Sequence, residues 1–555
     1  MTRIRFTRLA AAATSALIAS AALAACSASG GGASLAANGG GASASGGTPV
    51  KGGTIVYGAE QEPPCLAGGW VQQAYIDRNI LDSLVTEASD GSIKPWLATS
   101  WTVSPDGLTY DFTLKPGVKF TDGTPLNAQA VVDNFTFWEK GGNSTAQVSI
   151  DPYFKKAVAL SATHLEVQLN KPYLPFLTMI SQGYFGILSP ASLKRSTQAQ
   201  CDDPIGSGAF EVKQWIHGQE LILVRNPDYT SWPATAVHQG PALVDEVDWK
   251  FLTDPVERYA ALTTGEANLI YDVPTVDWTS AKASYQVTQY ITPGKPVSLF
   301  LNTSVGVFTD ARVRQAFAYG ADRKAAVETA FHGVIPYEGN PSVSQSTPGY
   351  DAAVADAYAY SPAAASKLLN AAGWTGRNAA GYRTKGGKEL DVKLPYPAGS
   401  VVTAEGATLL QILQQQWKQV GFNVTLTPET MAETFSGVYN TPSSYDAQPW
   451  YWTSPSAAIL WIVWRPSTKA NPNYNNSSFY NNTELAGVIA DGNTATTTTT
   501  ADKYYDQAQQ IIQNEAAAVG LYTQTTSIAA ADNVHDFWLE KSQGEPVFED
   551  AYLTK

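Results

Sequence analysis

Residues 97–131 read Leu-Ala-Thr-Ser-Trp-Thr-Val-Ser-Pro-Asp-Gly-Leu-Thr-Tyr-Asp-Phe-Thr-Leu-Lys-Pro-Gly-Val-Lys-Phe-Thr-Asp-Gly-Thr-Pro-Leu-Asn-Ala-Gln-Ala-Val, and this block decides how the chain folds. Leu108, Tyr110, Phe112 and Leu114 alternate with Thr109, Asp111 and Thr113, the period of a strand with one buried face. Pro105-Asp106-Gly107 and Lys115-Pro116-Gly117 bracket that strand as turns, because proline presets its own φ and glycine accepts positive φ. After Asp122-Gly123, Asn127 is placed to cap a helix whose Val131, Val132, Phe135 and Trp138 form an apolar stripe. A sheet covered by a helix follows from this block alone.

The amino-terminal end carries a different message. Arg3, Arg5 and Arg8 precede an apolar run over residues 9–22, and Leu23-Ala24-Ala25-Cys26 closes it. That is the layout of a secretory leader over residues 1–25, and the run is short against the ~20 apolar residues a bilayer span needs. A cysteine at the cleavage point implies lipidation of Cys26. Residues 27–53 are almost entirely Ser, Gly, Ala and Asn, so residues 26–53 are expected to be a lipidated cysteine on a flexible tether. With Cys26 lipidated, Cys65 and Cys201 are the only thiols left in an oxidising compartment, and a disulfide between them is expected; two unpaired buried cysteines are the alternative.

The chain beyond residue 53 far exceeds the roughly 100 to 200 residues of one domain, so at least two lobes are expected. Formal charge is −13, and loss of the three leader arginines, with no acidic residue before Cys26, takes it to −16. Nucleic acid is excluded as a natural partner for so acidic a chain.

As a string, residues 97–131 resemble the signature of the extracellular solute-binding proteins that serve peptide and nickel ABC importers. One departure is Ala130, where that family usually has a carboxylate that completes a capping box. The resemblance continues in order along the chain. Pro204-Ile205-Gly206-Ser207-Gly208-Ala209-Phe210, then Trp215, Gly218 and residues 221–229, look like the family's glycine turn and hairpin. A phosphate cradle would need more glycines, a helix start and a lysine, which do not follow. Residues 299–302 read as a buried strand, and residues 310–323 look like the family's entry to the second lobe, with Asp310 and Asp322 as helix caps and the arginines as structural groups. Ser361-Pro362 and Gly373 frame another helix. A helix is expected over residues 412–422, followed by a strand at Val424-Thr425-Leu426; residues 496–500 are expected as a loop before a helix over 501–515.

The resemblance implies an α/β, two-lobed periplasmic-binding-protein-like (Venus-flytrap) fold with an extra inserted subdomain in the first lobe. The expected division is residues 54–86, 201–296 and 522–555 for the first lobe, 87–200 for the insert and 297–521 for the second lobe. Two strand crossings would form a hinge, with ligand held in the cleft. The implied role is a lipid-anchored solute-binding subunit at the extracytoplasmic face of the cell membrane, a monomer that captures an oligopeptide or similar small solute for a permease and its ATPase. Its only membrane contact would be the lipid, and no cofactor or metal is expected.

Candidate ligand contacts are mostly aromatic. Trp450-Tyr451-Trp452 is the densest cluster among 15 tryptophans, and Trp450 and Trp452 would share one face of a strand ended by Pro455. Stacking on a solute and packing into the core both fit that pattern; in the family this segment leads into the cleft. Peptide-binding members usually carry an acidic residue just after it. Here Thr453-Ser454-Pro455-Ser456-Ala457-Ala458 has none, so the clamp on a free dipeptide's ammonium group is missing. Glu60, before Glu62-Pro63-Pro64-Cys65, resembles the family's first cleft loop, with a solvated strand end as its other reading, and Trp70 follows. Glu60, Trp70, Trp450, Tyr451, Trp452 and Ser454 are the candidate ligand-binding residues. Trp461 and Trp464 are better explained as core.

A lipid-anchored glycoside hydrolase is the rival from another class, since carboxylates are plentiful. Against it, His164, His217, His238, His332 and His535 are scattered, and no nucleophile-elbow pattern occurs. A metal-chelate or oligosaccharide binder on the same fold is the rival within the family.

Overall fold

The computed structural model describes residues 48–555 apart from residues 71, 72, 74, 75, 143, 152, 356, 400, 435, 470 and 471. The leader, Cys26 and the tether as far as residue 47 lie outside the described residues.

The deciding block folds as read. Thr109–Leu114 is a strand with Tyr110, Phe112 and Leu114 buried and Asp111 exposed. It pairs antiparallel with Ala98–Val103 and His164–Leu169, and Phe154–Ala159 completes a four-stranded sheet. Helix Ala128–Glu139 starts where the Asn127 side chain accepts the Ala130 N–H at 3.0 Å, so the cap forms without a capping box. Val131, Phe135 and Trp138 are its buried stripe, whereas Val132 is only half-buried. At about 100° per residue, position 132 turns off that stripe and position 134 turns onto its edge. Asn134 is tolerated there because Nδ2 donates to the carbonyls of Ala130 and Leu188, both at 2.8 Å, and Oδ1 accepts from the Leu188 N–H at 3.0 Å.

The first lobe is built on a seven-stranded mixed sheet. Its order is Gln286–Ile291, Thr525–Ala530, Leu269–Tyr271, Thr54–Ala59, Glu246–Phe251, Glu220–Arg225 and Phe210–Ile216, with Thr54–Ala59 parallel to both neighbours. The glycines before Phe210 are required by close approach: a Cβ at Gly206 would fall 2.1 Å from the Ile80 carbonyl oxygen, and one at Gly208 2.5 Å from it.

The second lobe centres on the antiparallel strands Ala447–Thr453, Gly294–Leu301 and Ala518–Tyr522, with Asp391–Pro397 and Asn423–Glu429 as a parallel pair. Val297, Leu299 and Leu301 enter one apolar cluster with Phe317, Leu413 and Trp417; Phe300 enters another with Leu460, Trp464, Ile489 and Ile512. Opposite faces of one strand thus anchor two helical layers. The helix expected at 412–422 runs Ala404–Val420, because Thr403 caps it and Glu405 suits its first turn. The helix expected from 501 begins at Thr498, since Thr497 accepts the Thr500 N–H and turns the end of the threonine run into a cap.

Two connectors of two residues each join the lobes, Thr292-Pro293 and Thr523-Gln524. On the first-lobe side Ile291 pairs with Thr525, and on the second-lobe side Val297 pairs with Tyr522. Between them the Thr292 N–H donates to the Gln524 carbonyl at 2.9 Å. One antiparallel ribbon therefore passes through both sheets, and bending confined to these few residues can open or close the cleft.

The inserted subdomain also touches the second lobe. Leu174 N–H donates to the Asn493 carbonyl at 3.0 Å, Asn493 Nδ2 donates to the Tyr153 hydroxyl at 2.8 Å, and Tyr505 donates its hydroxyl hydrogen to Asn493 Oδ1 at 2.8 Å. Lys171 Nζ lies 5.8 Å from the Trp461 ring centre, and Ala458 packs into the insert's apolar cluster.

Candidate functional site

Glu60 stands immediately after the strand Thr54–Ala59, and burial together with the charge of Asp272 pushes its carboxyl up to about 7 against the pull of Arg258. It nevertheless keeps part of its surface open, as does Tyr451 of the second lobe. Burial and the Glu60 charge together push the Tyr451 phenol up to about 12. A second-lobe phenol thus stands in the field of a first-lobe carboxylate.

Asp272 closes the next strand of the same sheet, at a φ of 54° that a β-strand residue does not adopt, held by its N–H bond to the Ser527 carbonyl at 2.6 Å. Burial raises its carboxyl to about 6; Arg258 opposes this and Glu405 of the second lobe adds to it. Arg258 spends its donors on carbonyls, Nε on Tyr271 at 2.9 Å and Nη1 on Leu252 at 2.7 Å and Thr253 at 3.0 Å. It therefore acts on the carboxylates through space. Among the described residues Glu60, Asp272 and Glu405 have no ion-pair partner. Once ionised, these three carboxylates outweigh the single charge of Arg258 and make this region attractive to a cation.

The aromatic segment forms the strand Ala447–Thr453. Trp450 and Trp452 are half-buried and pack against the cluster of Phe300, Leu460 and Trp464, so each ring serves the core with part of its area and leaves the rest open. Ser454 is buried and locally engaged: its hydroxyl donates to the Ser456 carbonyl at 2.9 Å, and its N–H donates to Pro293 at 3.0 Å. Trp70 is 41% exposed beside Gly68. Trp464 is fully buried, whereas Trp461 faces Lys171 of the insert. Cys65 and Cys201 are joined by a disulfide with Cα atoms 4.4 Å apart, which ties the loop after the first strand to the helix Thr197–Asp202.

The histidines are dispersed among separate contacts. His217 Nδ1 lies 2.9 Å from Glu62, His238 Nδ1 3.4 Å from Asp550, and His332 Nδ1 2.9 Å from Thr275 Oγ1. Among the described residues no group of three or more His, Cys, Asp or Glu could hold a metal ion. No helix of the described residues is long and apolar enough to cross a membrane. Two hollows lie elsewhere: one of about 440 Å³ beside Val305, Lys393 and Tyr445, and one of about 320 Å³ beside Asp202, Trp215 and His217. Neither is lined by Glu60 or the aromatic strand.

Sequence reasoning missed Asp272, Arg258 and Glu405. They stand far apart in the chain and carry no motif; only the sheet order and the hinge bring their charges together.

Residues 92–486 match the family model described as bacterial extracellular solute-binding proteins, family 5 Middle. The chain is 28% identical over 375 residues to the nickel-binding periplasmic protein of Escherichia coli (strain K12), covering 66% of this chain and 68% of that protein. It is 26% identical over 472 residues to the glutathione-binding protein GsiB of Escherichia coli (strain K12), covering 83% and 86%. The solved structure of the oligopeptide-binding protein AppA from Bacillus subtilis, in complex with a nonapeptide, superposes with a TM-score of 0.77 at 22% identity over 92% of this chain and 100% of that one. NikA from Brucella suis, in complex with Fe(III)-EDTA, gives 0.78 at 22% identity over 90% and 100%. These neighbours have the same two-lobed α/β fold. With the family model covering most of its length, the chain belongs to the bacterial extracellular solute-binding proteins of family 5.

Proposed function

We propose that this solute-binding subunit of an ABC importer captures an oligopeptide or similar small solute bearing a protonated amine, and delivers it unchanged to a membrane permease and its ATPase. The observation that carries the reading is that the part-open Glu60 of one lobe stands close enough to the part-open Tyr451 of the other for its charge to raise the Tyr451 phenol. A solute touching both favours the closed form, because contacts to two lobes exist only when the cleft is shut. Asp272 and Glu405 add negative charge there, which suits an ammonium group. The open parts of Tyr451 and Trp452 suit the apolar remainder of the solute. The glutathione-binding relative and the nonapeptide-bound neighbour support a peptide-like cargo. The nickel-binding relative and the Fe(III)-EDTA-bound neighbour support a second reading, a metal chelate.

In this reading residues 54–86, 201–296 and 522–555 form the first lobe, 87–200 the insert and 297–521 the second. Lipidated Cys26 holds a monomer at the outer face of the membrane, and the chain carries out no covalent chemistry. The test is to denature the purified protein, identify the released compound by mass spectrometry and titrate it back into stripped protein by calorimetry. An intact amine-bearing compound that rebinds is expected; its conversion into a product on incubation with the protein would overturn the reading.

A further inference from the structure

Gly294–Leu301 is the central strand of the second-lobe sheet, paired on both sides, yet its third residue is Pro296. Proline has no N–H to give a ladder and sits in central strands only where the ladder is broken. The break is there: Lys295 stands opposite Trp452 and Ser298 opposite Trp450, so two residues of one strand face one of the other. At this bulge lies Lys295, 2% exposed. Its Nζ donates to the Trp450 carbonyl at 2.8 Å, to the Pro296 carbonyl at 3.2 Å and to Ser298 Oγ, and it lies 4.1 Å from the centre of the Phe300 ring. The Ser298 hydroxyl hydrogen is directed to the Pro341 carbonyl at 2.9 Å, which leaves its oxygen free to accept. Among the described residues no carboxylate forms an ion pair with Lys295, and burial alone drives its ammonium well below the ordinary lysine range.

A buried unpaired cation is costly unless each of its hydrogens finds an acceptor. Here Nζ has three oxygens within donor reach, and one of them is the main chain of the aromatic strand. We propose that Lys295 is a positioning residue for the solute cleft: its Nζ replaces the donor lost at Pro296 and fixes the main chain of Trp450, Tyr451 and Trp452 beside the hinge. Gly294 makes the second half of the clamp, since a Cβ there would fall 2.1 Å from the Trp452 carbonyl oxygen. Two residues that follow the hinge connector directly thus grip the aromatic wall, and a bend at Thr292-Pro293 is transmitted to it. The inference rests on the proposed role of that wall in solute capture.

The experiment reads the wall without any solute, so its failure and that of the functional reading are distinguishable. Full-length protein is labelled with 5-fluorotryptophan, with the Trp450 and Trp452 resonances assigned through Trp450→Phe and Trp452→Phe, and Lys295→Met and Lys295→Gln are compared with wild type. Both resonances should shift or broaden while the other tryptophans hold. Amide exchange over residues 447–454 should quicken about tenfold in Lys295→Met and less in Lys295→Gln, which keeps a polar head, while strand Asp391–Pro397 stays protected. Should Lys295→Met fail to fold, Lys295→Gln decides. Unchanged resonances and exchange in a folded variant would overturn the proposal, and so would an equal rise across the whole sheet, which marks a loss of global stability only.

Discussion

Tyr153→Phe tests whether the inserted subdomain latches the closed form. Tyr153 is buried and stacks on Tyr173 with ring centres 3.9 Å apart, so phenylalanine keeps the packing and removes only the hydroxyl. What disappears is the acceptor for Asn493 Nδ2, a bond of 2.8 Å between the insert and the second lobe. A neutral buried hydrogen bond is worth about 1 kcal/mol net, and a stranded buried donor raises the loss toward about 3 kcal/mol. Where water can reach Asn493 on opening, the lower figure applies, and about 1 kcal/mol corresponds to a roughly fivefold fall in the closed-to-open ratio. Small-angle scattering and single-molecule distance measurements on solute-stripped protein should record more of the extended form. Tyr505→Phe supplies the control: it removes the other side-chain bond of Asn493, which lies within the second lobe, and should lower the unfolding midpoint without changing the distance distribution. If Tyr153→Phe lowers the midpoint and leaves the distribution untouched, the contact is ordinary packing and the latch is refuted.

Trp452→Ala should weaken solute binding more than it weakens the fold, because the ring is half-buried; equal affinity in calorimetry, or global unfolding, would return it to the core. For Glu60, a carboxyl raised from 4.5 to about 7 in the folded protein means that the folded state holds a proton the unfolded state has released between those pH values. Its burial therefore costs stability increasingly as pH rises through that window, on the order of 3 kcal/mol above pH 7, and the cost vanishes below about 4.5. Urea midpoints should fall from pH 5 to pH 8 more steeply in wild type than in Glu60→Gln, and parallel curves would refute the assignment. Replacing both Cys65 and Cys201 by alanine should lower stability by about 2 to 5 kcal/mol, since the bond closes a loop of 136 residues; an unchanged chemical-denaturation midpoint would show that the unfolded chain gains no freedom.

Local patterns carried the elements whose signals sit within a few residues. Asn127, Asp310, Asp322 and Ser361 cap helices because a short polar side chain reaches an N–H two or three residues ahead. The alternation at Tyr110 and Phe112 marks a strand with one buried face within six residues. Boundaries failed where caps were hidden: Thr403 precedes an Ala-Glu-Gly-Ala stretch without clear periodicity, and Thr497 lies inside a threonine run.

The order of family-like blocks in the chain sufficed to read a two-lobed α/β binder and to nominate Glu60 and Tyr451. It could not supply Asp272, Arg258 and Glu405, nor reveal that Lys295 grips the Trp450 carbonyl. Caps, turns and alternation are properties of neighbours in sequence, whereas the charge around Glu60 and the clamp on the Trp450–Trp452 segment are sums over groups from distant segments. Their distances exist only once the ribbon through Thr292 and Gln524 has set the two sheets side by side.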